Sequence, residues 1–283
     1  MLATCWNMCI LRRTERNGDA ETVMTDAPVR RTPWSFQFQV LKALILRDIN
    51  ARFGDKRLGY IWSLINPVLV VIGLLIIFTV RGRMAPPALP LMVFIATGFP
   101  IFFAFMTMWN GTGANPGDGI LMFPQVTLLD LIISRVVLEF LTQTTAFVII
   151  ALGLILIGGA PLPDDPLGVM MAFWGCMWVG VGIGLSNMAV GRVFPLINTI
   201  LGPIKRLSVF ISGVIFTASS LPSFLLPYFT WNPIFHGIEL ARTSWYPAYR
   251  TPVGDPGYIV VIAIFLTAFG IVAERITRRY IGR

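Results

Sequence analysis

Long apolar stretches alternate with short segments rich in proline, glycine and charge along most of the chain. The stretches lie at about residues 61–80, 90–109, 132–157, 168–190, 205–220 and 257–274. A helix of about 20 apolar residues, rising 1.5 Å per residue, is long enough to cross the ~30 Å hydrocarbon core of a bilayer. The pattern therefore predicts an all-α polytopic membrane protein with six transmembrane helices, whose transmembrane domain covers residues 58–283.

A shorter, one-sided pattern precedes the first stretch. Apolar side chains recur three or four positions apart at Phe38, Leu41, Ile45 and Ile49. This spacing places them on one face of a helix and predicts, within residues 34–57, an N-terminal amphipathic interface helix followed by a loop. Residues 1–33 are polar and basic and are predicted to be a mobile cytoplasmic tail, for which Met24 offers an alternative start.

The fifth stretch is unusual because its apolar part is short and ends before Pro222. Residues 224–249, which follow it, mix polar side chains with aromatic ones. Irregular backbone is tolerated at membrane depth only where protein or a water-filled cavity satisfies its hydrogen bonds. The segment therefore predicts re-entrant periplasmic helices between spans five and six.

Composition and charge agree with a membrane protein and exclude a soluble one. Hydrophobic residues make up 55% of the chain and charged residues 13%, with a mean hydropathy of +0.74. With both termini in the cytoplasm, eighteen of the 22 lysines and arginines lie inside, which is the orientation that the positive-inside rule selects. This orientation accounts for the net charge of +8 without a nucleic-acid partner. Three scattered cysteines predict no disulfide framework.

Three motifs occur in order along the chain. The first, residues 52–67, is a basic cluster that runs into interfacial aromatics and a proline, and the second is Asp130–Glu139. The third, Trp231–Arg242, reads WNPIFHGIELAR. Together with the number of spans, these motifs resemble the ABC-2 type exporter permeases, whose capsular polysaccharide branch carries a W-N-P-x-x-H-x-x-E element before the last span. The resemblance covers about residues 34–275.

The resemblance implies a permease subunit that moves lipid-linked capsular polysaccharide across the bacterial inner membrane. It implies a homodimer bound to two copies of a cytoplasmic ABC ATPase, with a periplasmic co-polymerase or adaptor and an outer-membrane export channel as further partners. The chain contains no G-x-x-x-x-G-K-[ST] phosphate loop. We therefore expect a transport subunit that is not an enzyme and has no cofactor of its own, since the partner ATPase would bind ATP and Mg.

Two groups of candidate site residues lie on the cytoplasmic side. The cytoplasmic entrance for the substrate is predicted at Arg52, Lys56, Arg57, Tyr60 and Trp62, where an ordinary inner-leaflet anchor is the alternative. The family places a coupling helix for the ATPase between spans two and three, which the resemblance assigns to Asn115, Gly117, Asp118, Leu121 and Phe123. Glycine and proline disfavour a regular helix there, so a passive turn is the alternative.

Two further groups lie in span three and before span six. Arg135, Glu139 and Gln143 form a polar face that either lines a channel or fixes the helix by an intrahelical ion pair. The predicted periplasmic gate consists of Trp231, His236, Glu239, Arg242, Trp245 and Tyr246. In that group Glu239 could orient the His236 ring, and Arg242 could pair with carboxylates of an acidic polymer. A structural histidine and aromatic belt residues are the alternatives.

Other functions remain open from the sequence alone. An O-antigen or teichoic-acid permease is the nearest alternative within the same class. A polytopic glycosyltransferase or polymerase would need acidic metal-binding clusters and a large extramembrane loop, and the sequence displays neither. A passive channel is disfavoured by the first and third motifs.

Overall fold

The computed structural model describes residues 41–49, 58–80, 89–114 and 128–281, and for 58–63, 128–129 and 278–281 it describes the backbone alone. Within these ranges the chain forms helices and turns, and no strand. The helices are α1 (41–49), α2 (Leu58–Val80), α3 (Leu91–Gly113), α4 (Leu128–Leu156), α5 (Pro166–Val193), α6 (Leu196–Ile211), α7 (Leu226–Phe229), α8 (Pro233–Trp245) and α9 (Pro256–Ile281). A 3₁₀ turn at Ala218–Ser220 lies between α6 and α7.

The all-helical fold class is confirmed for the described residues. By length and composition, four helical segments in the described part of the chain could cross a membrane: Leu91–Gly113, Asp130–Leu156, Pro166–Val193 and Pro256–Thr277. The part of α2 whose side chains are described, Leu64–Val80, is apolar but shorter. Helix α1 falls within the predicted interface helix. Its buried side chains are Leu44 and Asp48, whereas Leu41, Ile45 and Ile49 of the predicted apolar stripe are only half-buried, so the face that packs against the protein is displaced from that stripe.

The fifth apolar stretch is placed differently from the prediction. The prediction ran from 205 to 220, whereas α6 occupies Leu196–Ile211 and stops at Ser212. Gly213 follows with φ of +73°, a conformation that a residue with a side chain rarely adopts. A Cβ atom at this position would also lie 2.7 Å from the Cε2 atom of Phe235, so both the backbone and the packing require glycine.

Helix α5 lies at the centre of the fold and packs mainly against α9 and α3. Glycines bring the helices into close contact. A Cβ atom at Gly180 would lie 2.6 Å from the carbonyl oxygen of Phe105 on α3, and one at Gly182 would lie 2.7 Å from the Cβ of Leu266 on α9. Because lipid provides no hydrophobic force between apolar helices, van der Waals contact at small residues is an important source of their association.

Three helices begin at an Asp-Pro or Asn-Pro pair. The side chains of Asp165, Asn232 and Asp255 each accept a hydrogen bond from a backbone N–H in the first turn of α5, α8 and α9, at 2.8–3.0 Å. Proline follows as the first helical residue, where no N–H is needed. All three starts lie on one side of the fold, because Asp165 N donates to Ser244 O near the end of α8 and Asp255 N lies 3.3 Å from His236 Nδ1.

Candidate functional site

A polar cavity of about 540 Å³ lies between α1, α3 and α4. Its lining residues are Asp48, Thr107, Asn110, Gly111, Ala114, Arg135 and Glu139. Asp48 and Glu139 are each only 7% exposed, although carboxylates are costly to bury unless they are paired or hydrogen-bonded. The cavity therefore brings two carboxylates and a guanidinium together at one end of otherwise apolar helices.

Asp48 connects α1 to the transmembrane helices. Its Oδ1 atom accepts a hydrogen bond from Arg47 Nη2 at 2.7 Å, and its Oδ2 atom lies 3.4 Å from the hydroxyl oxygen of Ser134 on α4. Ser134 is fully buried. Sequence reasoning missed Asp48 because it emphasised the apolar stripe of α1. The sequence contained no clear signal for it, because Leu44 and Asp48 lie outside the predicted stripe and their burial depends on the folded chain.

Asn110, at the exposed edge of the cavity, is held by a residue of another helix. Lys205 Nζ on α6 donates to Asn110 Oδ1 at 2.7 Å. The same ammonium lies 5.1 Å from the ring centre of Trp109, within the range of a cation–π interaction. These contacts fix the carboxamide of Asn110 and connect α6 to the cavity wall.

The opposite end of the fold contains a fully buried ion pair. Arg242 Nη1 donates to Glu239 Oε1 at 2.7 Å, and neither side chain has any exposed area. The same Glu239 oxygen accepts from the backbone N–H of Ala218 at 3.2 Å, while Arg242 Nη1 also donates to Phe216 O at 2.9 Å. The pair thus joins α8 to the turn that follows α6.

Two aromatic residues complete the surroundings of the ion pair. The hydroxyl of Tyr249 donates to Glu239 Oε2 at 2.7 Å, and the guanidinium of Arg242 lies 4.6 Å from the ring centre of Phe94. Burial and the neighbouring Glu239 carboxylate raise the pKa of Tyr249, so its phenol remains a hydrogen-bond donor at neutral pH. Within the described residues, the Nε and Nη2 atoms of Arg242 are buried without a hydrogen-bond partner.

His236 joins the start of α8 to the start of α9. Its Nε2 atom lies 2.9 Å from Thr230 O, and its Nδ1 atom lies 3.3 Å from the N–H of Asp255, so the neutral Nε2–H tautomer satisfies both contacts. The His236 and Tyr258 rings are 4.6 Å apart, and the Tyr258 hydroxyl donates to Trp231 O at 3.0 Å. These contacts hold the Trp231 backbone while its side chain stays 82% exposed.

The predicted periplasmic gate residues divide into buried and exposed members. Glu239, Arg242 and Trp245 are buried, and Trp245 donates from Nε1 to Pro161 O at 3.0 Å. The hypothesis that Arg242 is available to a carboxylate of the polymer is wrong, because it is enclosed and already paired with Glu239. Glu239 likewise contacts Arg242 and not the His236 ring. Tyr246 and His236 are half-buried.

The predicted cytoplasmic sites are described only in part. Arg135 and Glu139 line the cavity, whereas Gln143 lies one turn further along α4 and is half-buried. The predicted entrance residues Arg52, Lys56 and Arg57 lie outside the described residues, as do the side chains of Tyr60 and Trp62, although their backbone belongs to α2. All of the predicted coupling residues, Asn115, Gly117, Asp118, Leu121 and Phe123, lie outside the described residues.

The apolar helices, the polar cavity at one end and the buried ion pair at the other describe a polytopic helical membrane protein. The profile of the ABC-2 type transporter family matches residues 39–246, which is most of the chain. The chain therefore belongs to the ABC-2 type transporter family, as the three motifs predicted.

Capsule export proteins are among its relatives. The chain is 29% identical to the polysialic acid transport protein KpsM of Escherichia coli, over 87% of this chain and 96% of that protein. It is 27% identical to the capsule polysaccharide export inner-membrane protein CtrC of Neisseria meningitidis serogroup A, over 83% and 89% of the two chains. It is also 27% identical to the capsule polysaccharide export inner-membrane protein BexB of Haemophilus influenzae, over 84% and 91%.

Proposed function

We propose that this chain is the permease subunit of an ABC exporter that moves lipid-linked capsular polysaccharide across the bacterial inner membrane. The observation that carries the proposal is the extent of its similarity to capsule export proteins, which includes 96% of KpsM and 91% of BexB. A match over nearly the whole length of a relative favours the same role in the membrane, because it is not confined to one shared segment.

Two copies of this chain would form the translocation path, and two copies of a separate ATPase would bind Mg and hydrolyse ATP. Both termini would lie in the cytoplasm, with α2 as the first of six spans and the stretch at 205–220 as the fifth. A periplasmic adaptor and an outer-membrane channel would continue the path. A row of exposed apolar residues on α6 supports contact with lipid or a second subunit: Leu196, Ile200, Ile204, Leu207 and Ile211 are 47–70% exposed.

The substrate assignment is tested in the source bacterium by deleting the gene. We expect surface polysaccharide to be lost and polymer to accumulate inside the cell, and plasmid-borne wild type to restore the surface polymer. Normal surface capsule combined with loss of another surface glycan, such as an O-antigen, would contradict the substrate assignment. Loss of polymer synthesis, without internal accumulation, would favour a glycosyltransferase instead of a permease.

The ATPase partner is tested by copurification. Leu121→Asp and Phe123→Asp each place a charge in the predicted coupling segment and should reduce the amount of ATPase that copurifies. The centre of a protein–protein interface excludes water, so a carboxylate placed there would lose its hydration. Ser223→Asp, in an exposed turn near α7, is the matched control and should retain the ATPase. If both variants retain the ATPase at the wild-type ratio, residues 115–123 are not the coupling contact.

A further inference from the structure

We infer that an apolar groove between α4, α5 and α9 holds one acyl chain of a membrane phospholipid. The groove has a volume of about 390 Å³. It runs along residues 132–141 of α4 and is completed by Trp178 and Val181 of α5 and by Thr267 of α9. This lipid site is distinct from the polar cavity, and it does not depend on which substrate the protein transports.

The groove forms because α4 and α5 separate along their length. At one level the rings of Phe147 and Phe173 stack with their centres 4.5 Å apart, and Trp174 Nε1 lies 3.3 Å from Thr144 Oγ1. Phe140, one turn before Thr144, lines the groove with its ring centre 5.9 Å from that of Trp174. On the far side of Phe140 the two helices face each other across the groove.

The groove has a recessed floor and exposed edges. Ile132 and Val181 are each 5% exposed, whereas Ile133 is 47% and Leu141 61% exposed. A chain lying in the groove would therefore contact three helices at once, more than it could contact on the convex surface of one helix. If the groove stayed empty, its wall would lose these van der Waals contacts.

The chemistry of the wall restricts the occupant to hydrocarbon. Thr267 is the lining residue with a hydroxyl group, and that hydroxyl donates to Ala263 O at 2.7 Å. The described lining residues present no polar surface to the groove. A sugar or a lipid headgroup would thus lose its hydrogen bonds to water without replacing them, which is costly.

The shape of the groove favours a single unbranched chain over a helix. Residues 132–141 extend for about 13.5 Å at 1.5 Å per residue. Dividing the volume by this length gives a mean cross-section of about 29 Å². A helix with its side chains is 10–12 Å in diameter, which corresponds to about 80–110 Å². A helix of a second subunit is therefore too wide to enter, whereas the acyl chains of the surrounding bilayer are narrow, apolar and abundant.

The position of the groove assigns the lipid to one leaflet. The turns of α4 that line the groove also carry Arg135 and Glu139, which line the polar cavity on another face of the helix. In the orientation proposed above, this half of α4 is the cytoplasmic half. The acyl chain therefore belongs to a phospholipid of the inner leaflet. The choice of leaflet rests on the proposed orientation, but the groove itself does not.

Photolabelling with a lipid tests the site directly. The full-length protein is reconstituted in vesicles of phosphatidylethanolamine and phosphatidylglycerol, in which a small fraction of the phospholipid carries a diazirine in its acyl chain. After illumination, labelled residues are located by mass spectrometry. We expect residues 132–141 and 178–181 to be labelled about fivefold more than Val261, Ile264 and Phe265, because additional dispersion contacts hold the chain in the groove. These three residues of α9 are 61–64% exposed and are not lining residues, so they report ordinary lipid contact.

A variant that fills the groove provides the second measurement. Val181→Phe places a ring on the floor and should lower the labelling of residues 132–141 about fivefold, to the level of ordinary lipid contact. Val137→Phe, at a position that is 37% exposed, should have the same effect and serves if Val181→Phe does not fold. Val261→Phe makes the same chemical change outside the groove and should leave the labelling of residues 132–141 unchanged.

Each remaining outcome would overturn the inference. Equal labelling of the groove and of the three α9 residues would show that lipid is not held there. Displacement of the label by an equimolar amount of lipid-linked polymer would show that the groove takes the substrate's anchor and not a membrane phospholipid. A disulfide between two copies of Val137→Cys, in a background without native cysteines, would show that protein covers the groove. None of these results bears on export, which the gene deletion tests separately.

Discussion

The side chains of Glu239 and Arg242 form an ion pair within one turn of α8, with Nη1 2.7 Å from Oε1 and no solvent access to either. A buried pair contributes little net stability by itself, because both charges have been removed from water. Removing one partner is costly, since the remaining charge stays buried without compensation. The pair therefore matters chiefly for the arrangement that it imposes on the backbone of residues 216–218.

Glu239→Gln should destabilise the protein by about 3 kcal/mol, because it leaves the Arg242 charge without its counter-ion. We expect a lower melting temperature of the detergent-purified protein and less inserted protein in membranes. Arg250→Gln, an exposed change in the following loop, is the control and should behave as wild type. A Glu239→Gln protein that melts as wild type would show that the pair does not support the fold.

Trp231→Ala and Trp245→Ala should have different effects, although both residues belong to the predicted gate. Trp245 is 1% exposed and bonded to Pro161 O, so its removal creates a cavity and should lower protein abundance by a loss of about 3–5 kcal/mol in stability. Trp231 is 82% exposed, so its removal should leave abundance unchanged. Should Trp231 act in the gate, surface polymer per inserted molecule would fall and internal polymer would rise. Normal export per molecule would remove it from the gate.

Gly180→Ala should weaken the packing of α5 against α3, because the new Cβ atom would lie 2.6 Å from the backbone oxygen of Phe105. Backbone cannot move aside as a side chain can, so we expect a loss of at least about 1–3 kcal/mol, measured as a lower melting temperature. Gly153→Ala on α4 makes the same chemical change into open space and should be neutral or stabilising by up to ~1 kcal/mol. Equal melting temperatures for the two variants would contradict the close contact.

Cysteine substitutions along α1 should react with an aqueous thiol reagent in a helical pattern. Lys42 and Ala43 are exposed, whereas Leu44 and Asp48 are buried, so cysteines at the first two positions should react faster. The labelling rate is measured in membrane vesicles from a strain in which the native cysteines have been replaced. Uniform labelling at all four positions would show that residues 41–49 do not pack as a helix against the protein.

Hydrophobic pattern alone located the helices that are apolar along their whole length. Helices α2, α3, α4, α5 and α9 begin and end within a few residues of the predicted stretches, except that α9 continues to Ile281. Helix α6 was misplaced because Lys205 and Arg206 interrupt its apolar sequence. The helix is therefore amphipathic, and it lacks the unbroken apolar run on which the prediction of spans relied. The prediction also extended the stretch past Gly213, whose positive φ is incompatible with a continued α-helix.

The candidate site was predictable to the extent that its residues are close in sequence. Spacing placed His236 and Glu239 on one face of a helix, and Arg135 and Glu139 on another, but it did not predict that Glu239 pairs with Arg242. The burial of Arg242 was not predictable, because it depends on Phe216 and Phe94, which come from distant parts of the chain. Asp48 joins the cavity for the same reason, since only the folded chain brings α1 beside Ser134.

The early end of α6 has a consequence for biosynthesis. The backbone groups of Ile211, Phe216 and Ala218 obtain side-chain hydrogen bonds from Asn232, Arg242 and Glu239, which are 21 to 26 residues further along the chain. A polar backbone cannot remain unsatisfied in hydrocarbon. While the ribosome is still making residues 219–231, these groups therefore lack their permanent partners. We conclude that residues 211–218 acquire their final hydrogen bonds only after α8 has been synthesised, so the end of the fifth stretch and α8 take up their structure together.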